Sequence, residues 1–187
     1  GSYFLLGVIL TTAEFDAPPP DPAREGCGAC RACIDACPTG AITAPWRLDA
    51  RRCLSYLTIE HEGEIEEELW PKFEGWAFGC DICQDACPYN RKRAAPREDD
   101  PLAPRRAPAE WSLVEMLTMP PEHIERAFMG SPLRRAGTEQ LRRNAAIVAS
   151  ERGGEAEARA IEKLLEENPD REYAGALRRA LEKLRER

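Results

Sequence analysis

The stretch that decides the fold reads Cys27-Gly-Ala-Cys30-Arg-Ala-Cys33-Ile-Asp-Ala-Cys37-Pro38. Its cysteines follow the spacing C-x2-C-x2-C-x3-C-P, and small residues separate the first three. Three thiols at this spacing can wrap a tight loop around one centre, and the small residues let backbone N–H groups approach the sulfurs. The fourth cysteine follows a helical turn and points away from that centre. The pattern therefore predicts thiolate ligands for a metal centre.

This spacing is typical of the [4Fe–4S] sites of bacterial ferredoxins. A second copy, Cys80-Asp-Ile-Cys83-Gln-Asp-Ala-Cys87-Pro88, lacks the first cysteine, and Cys53 is the one thiol left over to replace it. Two-cluster ferredoxins exchange their fourth ligands between the two motifs. Applied here, that rule predicts two ligand sets: Cys27, Cys30, Cys33 and Cys87 for the first cluster, and Cys37, Cys53, Cys80 and Cys83 for the second.

The alternatives are two structural zinc sites or a disulfide framework. Zinc sites use paired C-x2-C knuckles, which a triple C-x2-C-x2-C run fits poorly. Secreted disulfide scaffolds are shorter and spread their cysteines along the chain. Here all eight cysteines lie between Cys27 and Cys87 of a 187-residue chain with a net charge of −7 and no visible export signal. Clustered thiols in such a protein indicate a reducing, cytoplasmic location.

The rest of the sequence indicates a mainly α-helical protein with little β-structure. The longest apolar run, at residues 3–10, is β-branched and aromatic like a buried strand. It is too short for a membrane helix, which needs roughly 20 apolar residues. We expect this order of segments: a strand region at 1–15, a proline-rich linker at 16–26, a two-cluster ferredoxin-like domain at 27–95, a second linker at 96–110 and a helical tail at 111–187.

Helical periodicity dominates the tail. An apolar stripe recurs at helical spacing near the C-terminus, and two earlier helices carry similar stripes. A weak echo between Arg-Arg-Asn-Ala at 142–145 and Arg-Arg-Ala at 178–180 suggests a HEAT-like helical repeat. The three stripes are Leu141, Ala145 and Val148; Ile161, Leu164 and Leu165; and Tyr173, Leu177, Ala180, Leu181 and Leu184.

Two local patterns lie between the cysteine motifs. Asp49 can cap a short helix that carries Cys53 and Leu57. The acidic segment 60–74 is typical of a solvated helix face whose Leu69 and Trp70 turn inward.

Several stretches together resemble the epoxyqueuosine reductase family. The most specific is Leu-Asp-Ala-Arg-Arg-Cys-Leu-Ser-Tyr-Leu-Thr-Ile-Glu at residues 48–60. The others are the run at 3–10, the first cysteine motif, Gly-Cys-Asp-Ile-Cys-Gln at 79–84, Cys-Pro-Tyr-Asn at 87–90, Gly-Ser-Pro-Leu-Arg-Arg at 130–135 and Arg-Arg-Asn-Ala at 142–145.

The resemblance implies an oxidoreductase of queuosine biosynthesis that removes the epoxide oxygen of epoxyqueuosine in a tRNA anticodon loop. It implies cobalamin and two [4Fe–4S] clusters as cofactors, an external electron donor, and a monomer when full length. The family's N-terminal half, with most of the cobalamin pocket and the acidic proton donor, has no counterpart in this chain. We therefore expect residues 1–15 to belong to an upstream α/β cobalamin-binding domain. We also expect no catalytic residue here and no turnover by this chain alone.

The resemblance suggests four cobalamin contacts, each with an ordinary structural alternative. Leu6 and Gly7 can line the corrin or pack a strand. Ser55 can bond the corrin edge, or it can be a helix-surface or helix-capping serine. Asp81 can tune the cluster, touch the cofactor or close an Asx turn.

Local basic patches favour tRNA binding although the net charge argues mildly against it. Phosphate contacts need only such patches, and they position the nucleic acid without reading its sequence. The alternative is that these side chains only solubilise the protein by pairing with nearby Glu. The candidates are Arg91, Lys92, Arg93, Arg134, Arg135, Arg142 and Arg143.

Two other protein classes compete with this interpretation. Reductive dehalogenases share the plan of cobalamin with two clusters, but they are usually exported and lack an arginine-bearing helical tail. A stand-alone dicluster electron-transfer module would need neither the tail nor the block at residues 48–60.

Overall fold

The computed structural model describes residues 7–14, 16, 27–91 and 111–187. Leu6, Lys92, Arg93 and both predicted linkers, apart from Asp16, lie outside these described residues. Of Arg91, only its place at the end of a helix is described.

The cysteine region consists of short elements joined by tight turns. A small antiparallel hairpin pairs Ile42 with Leu48. Each cysteine motif surrounds one short helix, as the loop–helix spacing of the sequence predicts. The elements are α1 (Ala32–Ala36), β1 (Ile42–Ala44), β2 (Arg47–Leu48), a 3-10 turn (Ala50–Arg52), α2 (Leu54–Ile59), a 3-10 helix (Glu67–Phe73), α3 (Ile82–Asp85) and α4 (Pro88–Arg91).

The described part of the tail consists of helices joined by short turns and loops, without a strand. Its elements are α5 (Leu113–Thr118), α6 (Pro121–Ala127), a 3-10 turn (Pro132–Arg135), α7 (Gly137–Arg152), α8 (Glu155–Glu167) and α9 (Ala174–Arg185). The prediction of a mainly α-helical protein with little β-structure is confirmed. None of the described helices combines the length and the apolar composition that a membrane crossing requires.

The predicted apolar stripes of the tail point inward. Leu141, Ile161, Leu177 and Ala180 are each at most 2% exposed. Helix α9 packs against both α7 and α8, and α5 packs against the same two helices. The HEAT-like character of this arrangement stays a prediction.

One continuous core joins the cysteine region to the tail. Leu57, Trp70 and Phe73 pack in the same buried cluster as Ala145 and Leu177 from the tail. The Trp70 side chain is fully enclosed, and its indole N–H donates to the carbonyl oxygen of Ile65 at 3.0 Å. The segment that follows Cys53 and the helical tail therefore share one hydrophobic core.

The structures predicted for the two local patterns between the cysteine motifs form, but each differs in detail from the prediction. Asp49 accepts a hydrogen bond from the backbone N–H of Arg51 at 3.1 Å and so caps the 3-10 turn, while Cys53 occupies the cap position of α2. The acidic segment buries Leu69 and Trp70 as predicted, but in a 3-10 helix that contains Pro71. Pro71 has no N–H to donate, which disfavours a regular α-helix there.

The predicted N-terminal strand is not formed in the part of residues 3–10 that is described. Residues 7–14 adopt neither helix nor strand, and Val8, Ile9 and Leu10 are at least 87% exposed. A strand needs a neighbouring strand to satisfy its backbone N–H and C=O groups. The hairpin of β1 and β2 is the only sheet among the described residues, and it pairs only within itself.

Candidate metal centre

Four cysteines from separate parts of the chain line one pocket of about 300 Å³. Cys37 follows α1, Cys53 precedes α2, and Cys80 and Cys83 flank the start of α3. These are the four residues that the ligand-exchange rule assigns to the second cluster. The rest of the lining is Pro38, Thr39, Ala41, Ile42, Trp46, Arg47, Leu48, Leu54 and Ile82.

The electrostatics of this pocket favour the binding of a positively charged group. Burial raises the pKa of the Cys80 and Cys83 thiols, and the neighbouring sulfurs of Cys53 and Cys37 raise it further. Four thiolates therefore cannot share this space unless positive charge compensates them. Iron ions supply that charge, so the thiol set and the mostly apolar walls fit a [4Fe–4S] cluster.

Cys37 is held by donors that favour its thiolate. Burial opposes the charged form, but hydrogen bonds from the Thr39 hydroxyl and from the backbone N–H groups of Ile42, Ala41 and Thr39 outweigh it and lower the pKa of Cys37. The Cys37 sulfur lies 3.6 Å from the Thr39 hydroxyl oxygen. Hydrogen bonds to cluster sulfurs also tune cluster potentials.

A neighbouring pocket of about 160 Å³ gathers the first three cysteines of the other set, Cys27, Cys30 and Cys33. The Cys30 N–H donates to the Cys27 carbonyl at 2.8 Å, and Gly28 permits this turn with a φ of +49°. Cys87, the predicted fourth ligand, is buried at the start of α4 but is not among the residues that line this pocket. The structure thus brings together three of the four predicted first-set ligands.

Trp46 belongs to the site although the sequence analysis did not single it out. It lines both pockets and remains 82% exposed at the turn between β1 and β2. Its φ of +63° is uncommon for a bulky residue. The signal that was available is the Pro45-Trp46 pair between two short runs, since proline favours the first central position of a turn.

The candidate cobalamin contacts occupy three different settings. Gly7 is exposed in the segment that forms no strand. Ser55 is half-buried within α2 but is not its capping residue. Asp81 is exposed before α3, and its carboxylate makes no capping hydrogen bond there. The capping alternative at Ser55 and the Asx turn at Asp81 therefore find no support, whereas the position of Ser55 within α2 fits the alternative of a helix-surface serine.

Two predicted nucleic-acid contacts are corrected by their burial. Arg143 is 0% exposed and Arg142 is 7% exposed. Arg143 donates to the carbonyl oxygens of Leu57, His61 and Gly63, and burial lowers its pKa to about 10. Arg142 donates to Glu139 and to the Met119 carbonyl. Their guanidinium groups are used inside the fold, so neither residue is placed to contact phosphate.

Arg134 and Arg135 stay on the surface, but in mixed electrostatic surroundings. Arg135 pairs with Glu60 at 2.7 Å. Both arginines border a cleft of about 460 Å³ that is also lined by Glu62, Glu125, Glu139 and Glu172. Four glutamates and two arginines therefore share this cleft, so its lining is acidic on balance.

Comparison with known proteins agrees with the site. Residues 26–90 match the 4Fe-4S double cluster binding domain. The predicted dicluster module is thereby confirmed. The chain is also 47% identical over 149 residues to an epoxyqueuosine reductase of Pseudomonas aeruginosa and 44% identical over 147 residues to that of Escherichia coli. Each alignment covers 79% of this chain but only 40% and 38% of the relative, respectively, so the chain spans about two fifths of their length.

Solved structures give the same result. The epoxyqueuosine reductase of Streptococcus thermophilus superposes with a TM-score of 0.76 at 29% identity, over 92% of this chain and 45% of that protein. An epoxyqueuosine reductase solved with an epoxyqueuosine-modified tRNA-Tyr stem loop superposes with a TM-score of 0.64 at 26% identity, over 85% of this chain and 50% of that protein. The predicted resemblance to the epoxyqueuosine reductase family is confirmed.

Proposed function

We propose that this chain, a homologue of part of the epoxyqueuosine reductases, supplies the electron relay and part of the tRNA-docking surface of such an enzyme. The observation that carries the proposal is the pair of adjacent cysteine pockets, four residues in one and three in the other, with Trp46 in the wall of both. Two redox centres held side by side in mostly apolar surroundings are what an electron relay requires.

The chemistry sets what the relay must deliver. Removing an epoxide oxygen as water consumes two electrons and two protons. A [4Fe–4S] cluster carries one electron at a time, so two clusters fed by an external donor match the requirement. In this proposal Cys37, Cys53, Cys80 and Cys83 hold the second cluster, and Cys27, Cys30, Cys33 and Cys87 hold the first. Thr39 donates to the Cys37 sulfur, and Trp46 covers the space between the pockets.

Cobalamin would complete the reductive site on the side of the second pocket. Ser55 lies two residues after Cys53, and Asp81 directly follows Cys80, so both adjoin ligands of the second cluster. The half-exposed hydroxyl and the exposed carboxylate can donate to and accept from amide groups at a corrin edge. Leu6 and Gly7 are proposed as further contacts. If bound there, cobalamin would supply a strongly reducing metal centre to the reaction.

The tRNA contacts are proposed at the basic residues that remain after the correction at Arg142 and Arg143. These are Arg134 and Arg135 on the tail, together with Arg91, Lys92 and Arg93. A relative solved with a modified tRNA stem loop supports the proposal. A tRNA substrate also favours a cytoplasmic location, and a monomeric full-length enzyme stays a prediction.

A chimera tests the proposed function directly. The chain replaces the matching segment of the Escherichia coli epoxyqueuosine reductase, and conversion of epoxyqueuosine to queuosine in tRNA is measured. We expect turnover by this chimera and none by the same chimera with Cys53→Ser. An iron-loaded chimera that binds cobalamin and tRNA but cannot convert the substrate would contradict the proposal.

Charge reversal tests the docking surface. Replacing both Arg134 and Arg135 by Glu should lower the affinity for a tRNA anticodon stem loop and reduce the salt dependence of binding, by about one unit of slope per lost phosphate contact. Fluorescence anisotropy at several salt concentrations measures both quantities. The matched control is the double variant Arg159→Glu and Arg178→Glu, which reverses two exposed arginines on α8 and α9. Equal affinities and slopes for the two double variants would contradict a docking role for Arg134 and Arg135.

A further inference from the structure

Asn144, on helix α7 of the tail, bridges two segments that carry cysteines of the second pocket. Its side chain is fully buried. Its amide nitrogen donates to the carbonyl oxygen of Thr58 at 2.8 Å and to that of Ala77 at 3.0 Å. Thr58 belongs to α2, which begins directly after Cys53, and Ala77 lies three residues before Cys80. One side chain of the tail thus fixes both segments.

Arg143 reinforces the same junction. Besides its bonds to the carbonyl oxygens of Leu57, His61 and Gly63, it donates from Nε and Nη2 to Oδ1 of Asn144 at 3.1 and 2.9 Å. These bonds orient the Asn144 amide so that its nitrogen faces Thr58 and Ala77. The guanidinium also lies over the Tyr173 ring, 4.8 Å from its centroid, which couples α9 to the junction.

Thr58 carries the connection to the second cysteine. Its hydroxyl accepts a hydrogen bond from the Gly79 N–H at 2.9 Å and donates to the Leu54 carbonyl at 2.7 Å. Leu54 follows Cys53, and Gly79, with a φ of +68°, precedes Cys80. The chain of hydrogen bonds from Asn144 therefore ends next to two of the four cysteines in the second pocket. Its described bonds do not reach the loop at residues 27–37.

We infer that Asn144 and Arg143 are positioning residues that set the separation of Cys53 and Cys80 and so control the stability and potential of the second cluster from within the helical tail. The inference rests on the proposed assignment of Cys37, Cys53, Cys80 and Cys83 to one cluster. A role limited to filling the core would weaken the whole protein without singling out either cluster.

The test compares Asn144→Ala with Arg142→Gln in the anaerobically reconstituted 187-residue chain. Arg142 is the matched control because it is a buried neighbour on the same helix whose partners are Glu139 and Met119, away from the cysteines. Iron release to a chelator and the midpoint potentials of both clusters are measured. A Cys53→Ser chain, which retains only the first cluster, identifies the signals of each.

Asn144→Ala leaves buried carbonyl groups unpaired, so we expect the second cluster to lose iron about tenfold faster than in the wild type. Its midpoint potential should shift, while the first cluster keeps both its potential and its release rate. Arg142→Gln should leave the ratio of the two iron-release rates and the difference between the two midpoint potentials unchanged. If Asn144→Ala fails to fold, the pair Thr58→Val and Thr58→Ser replaces it, with the valine variant affected and the serine variant restored.

Two outcomes separate this inference from the proposed function. Wild-type-like release and potentials for both clusters, or an equal effect on both, would overturn the positioning role while leaving the relay intact. A wild-type chain that holds no second cluster would overturn the cluster assignment and the inference together.

Discussion

Replacing Cys53 by Ser is expected to halve the iron bound by the reconstituted chain, from about eight atoms to about four. Cys53 lies outside both cysteine motifs in sequence, yet it lines the same pocket as Cys37, Cys80 and Cys83. Without its thiolate, the second site keeps only three sulfur ligands, whereas the first set is untouched. Iron and sulfide analysis, together with the visible absorption of the brown protein, measures the loss.

The control for this variant is Ser55→Ala, which changes a side chain two residues away on α2 without removing a sulfur. It should keep the full iron content. A Cys53→Ser chain that still binds about eight iron atoms, or that binds two zinc ions instead, would contradict the assignment.

Replacing Trp70 by Ala is expected to destabilise the protein by roughly 3–5 kcal/mol, because it removes a large buried side chain and leaves a cavity in the core. Trp70 is fully buried, packs in the cluster that contains tail residues, and donates to the Ile65 carbonyl. Since this core joins the cysteine region to the tail, helix unfolding and cluster loss should follow one transition at a lower denaturant concentration. Urea titrations followed by circular dichroism and visible absorption measure both.

Trp46→Ala provides the comparison, because it removes the same side chain from a site that is 82% exposed. Its effect on the free energy of unfolding of the helices, followed by circular dichroism, should stay within about 0.5 kcal/mol. Separate transitions for the helices and the clusters in the Trp70 variant would show that the two regions fold independently, against the shared core described above.

The parts of the site that could be predicted from sequence are those in which local spacing dictates geometry. A C-x2-C-x2-C loop has few ways to fold around a centre. The second motif lacks its first cysteine, and Cys53 is the one remaining thiol that can replace it. The amphipathic stripes of the tail likewise place Leu177 and Ile161 inward because helical periodicity alone decides which face is apolar.

The errors arose where tertiary contacts override local character. Arg142 and Arg143 look like an exposed basic pair, but carbonyl groups from residues about eighty positions earlier surround Arg143. No local sequence pattern indicates such distant hydrogen-bond partners. The run at residues 3–10 is a different case: its assignment to a strand of an upstream domain stays a prediction, because a strand needs an edge to pair with and the described residues offer none to it.

The central claim is that the two clusters exchange their fourth ligands, and the spectra of two single variants test it most directly. Electron paramagnetic resonance of the reduced chain is recorded for Cys37→Ser and Cys87→Ser beside Cys53→Ser and Cys30→Ser. The account predicts that Cys37→Ser alters the same cluster signal as Cys53→Ser, and that Cys87→Ser alters the same signal as Cys30→Ser. If Cys37→Ser instead alters the signal that Cys30→Ser alters, each motif binds its own cluster and the account is wrong.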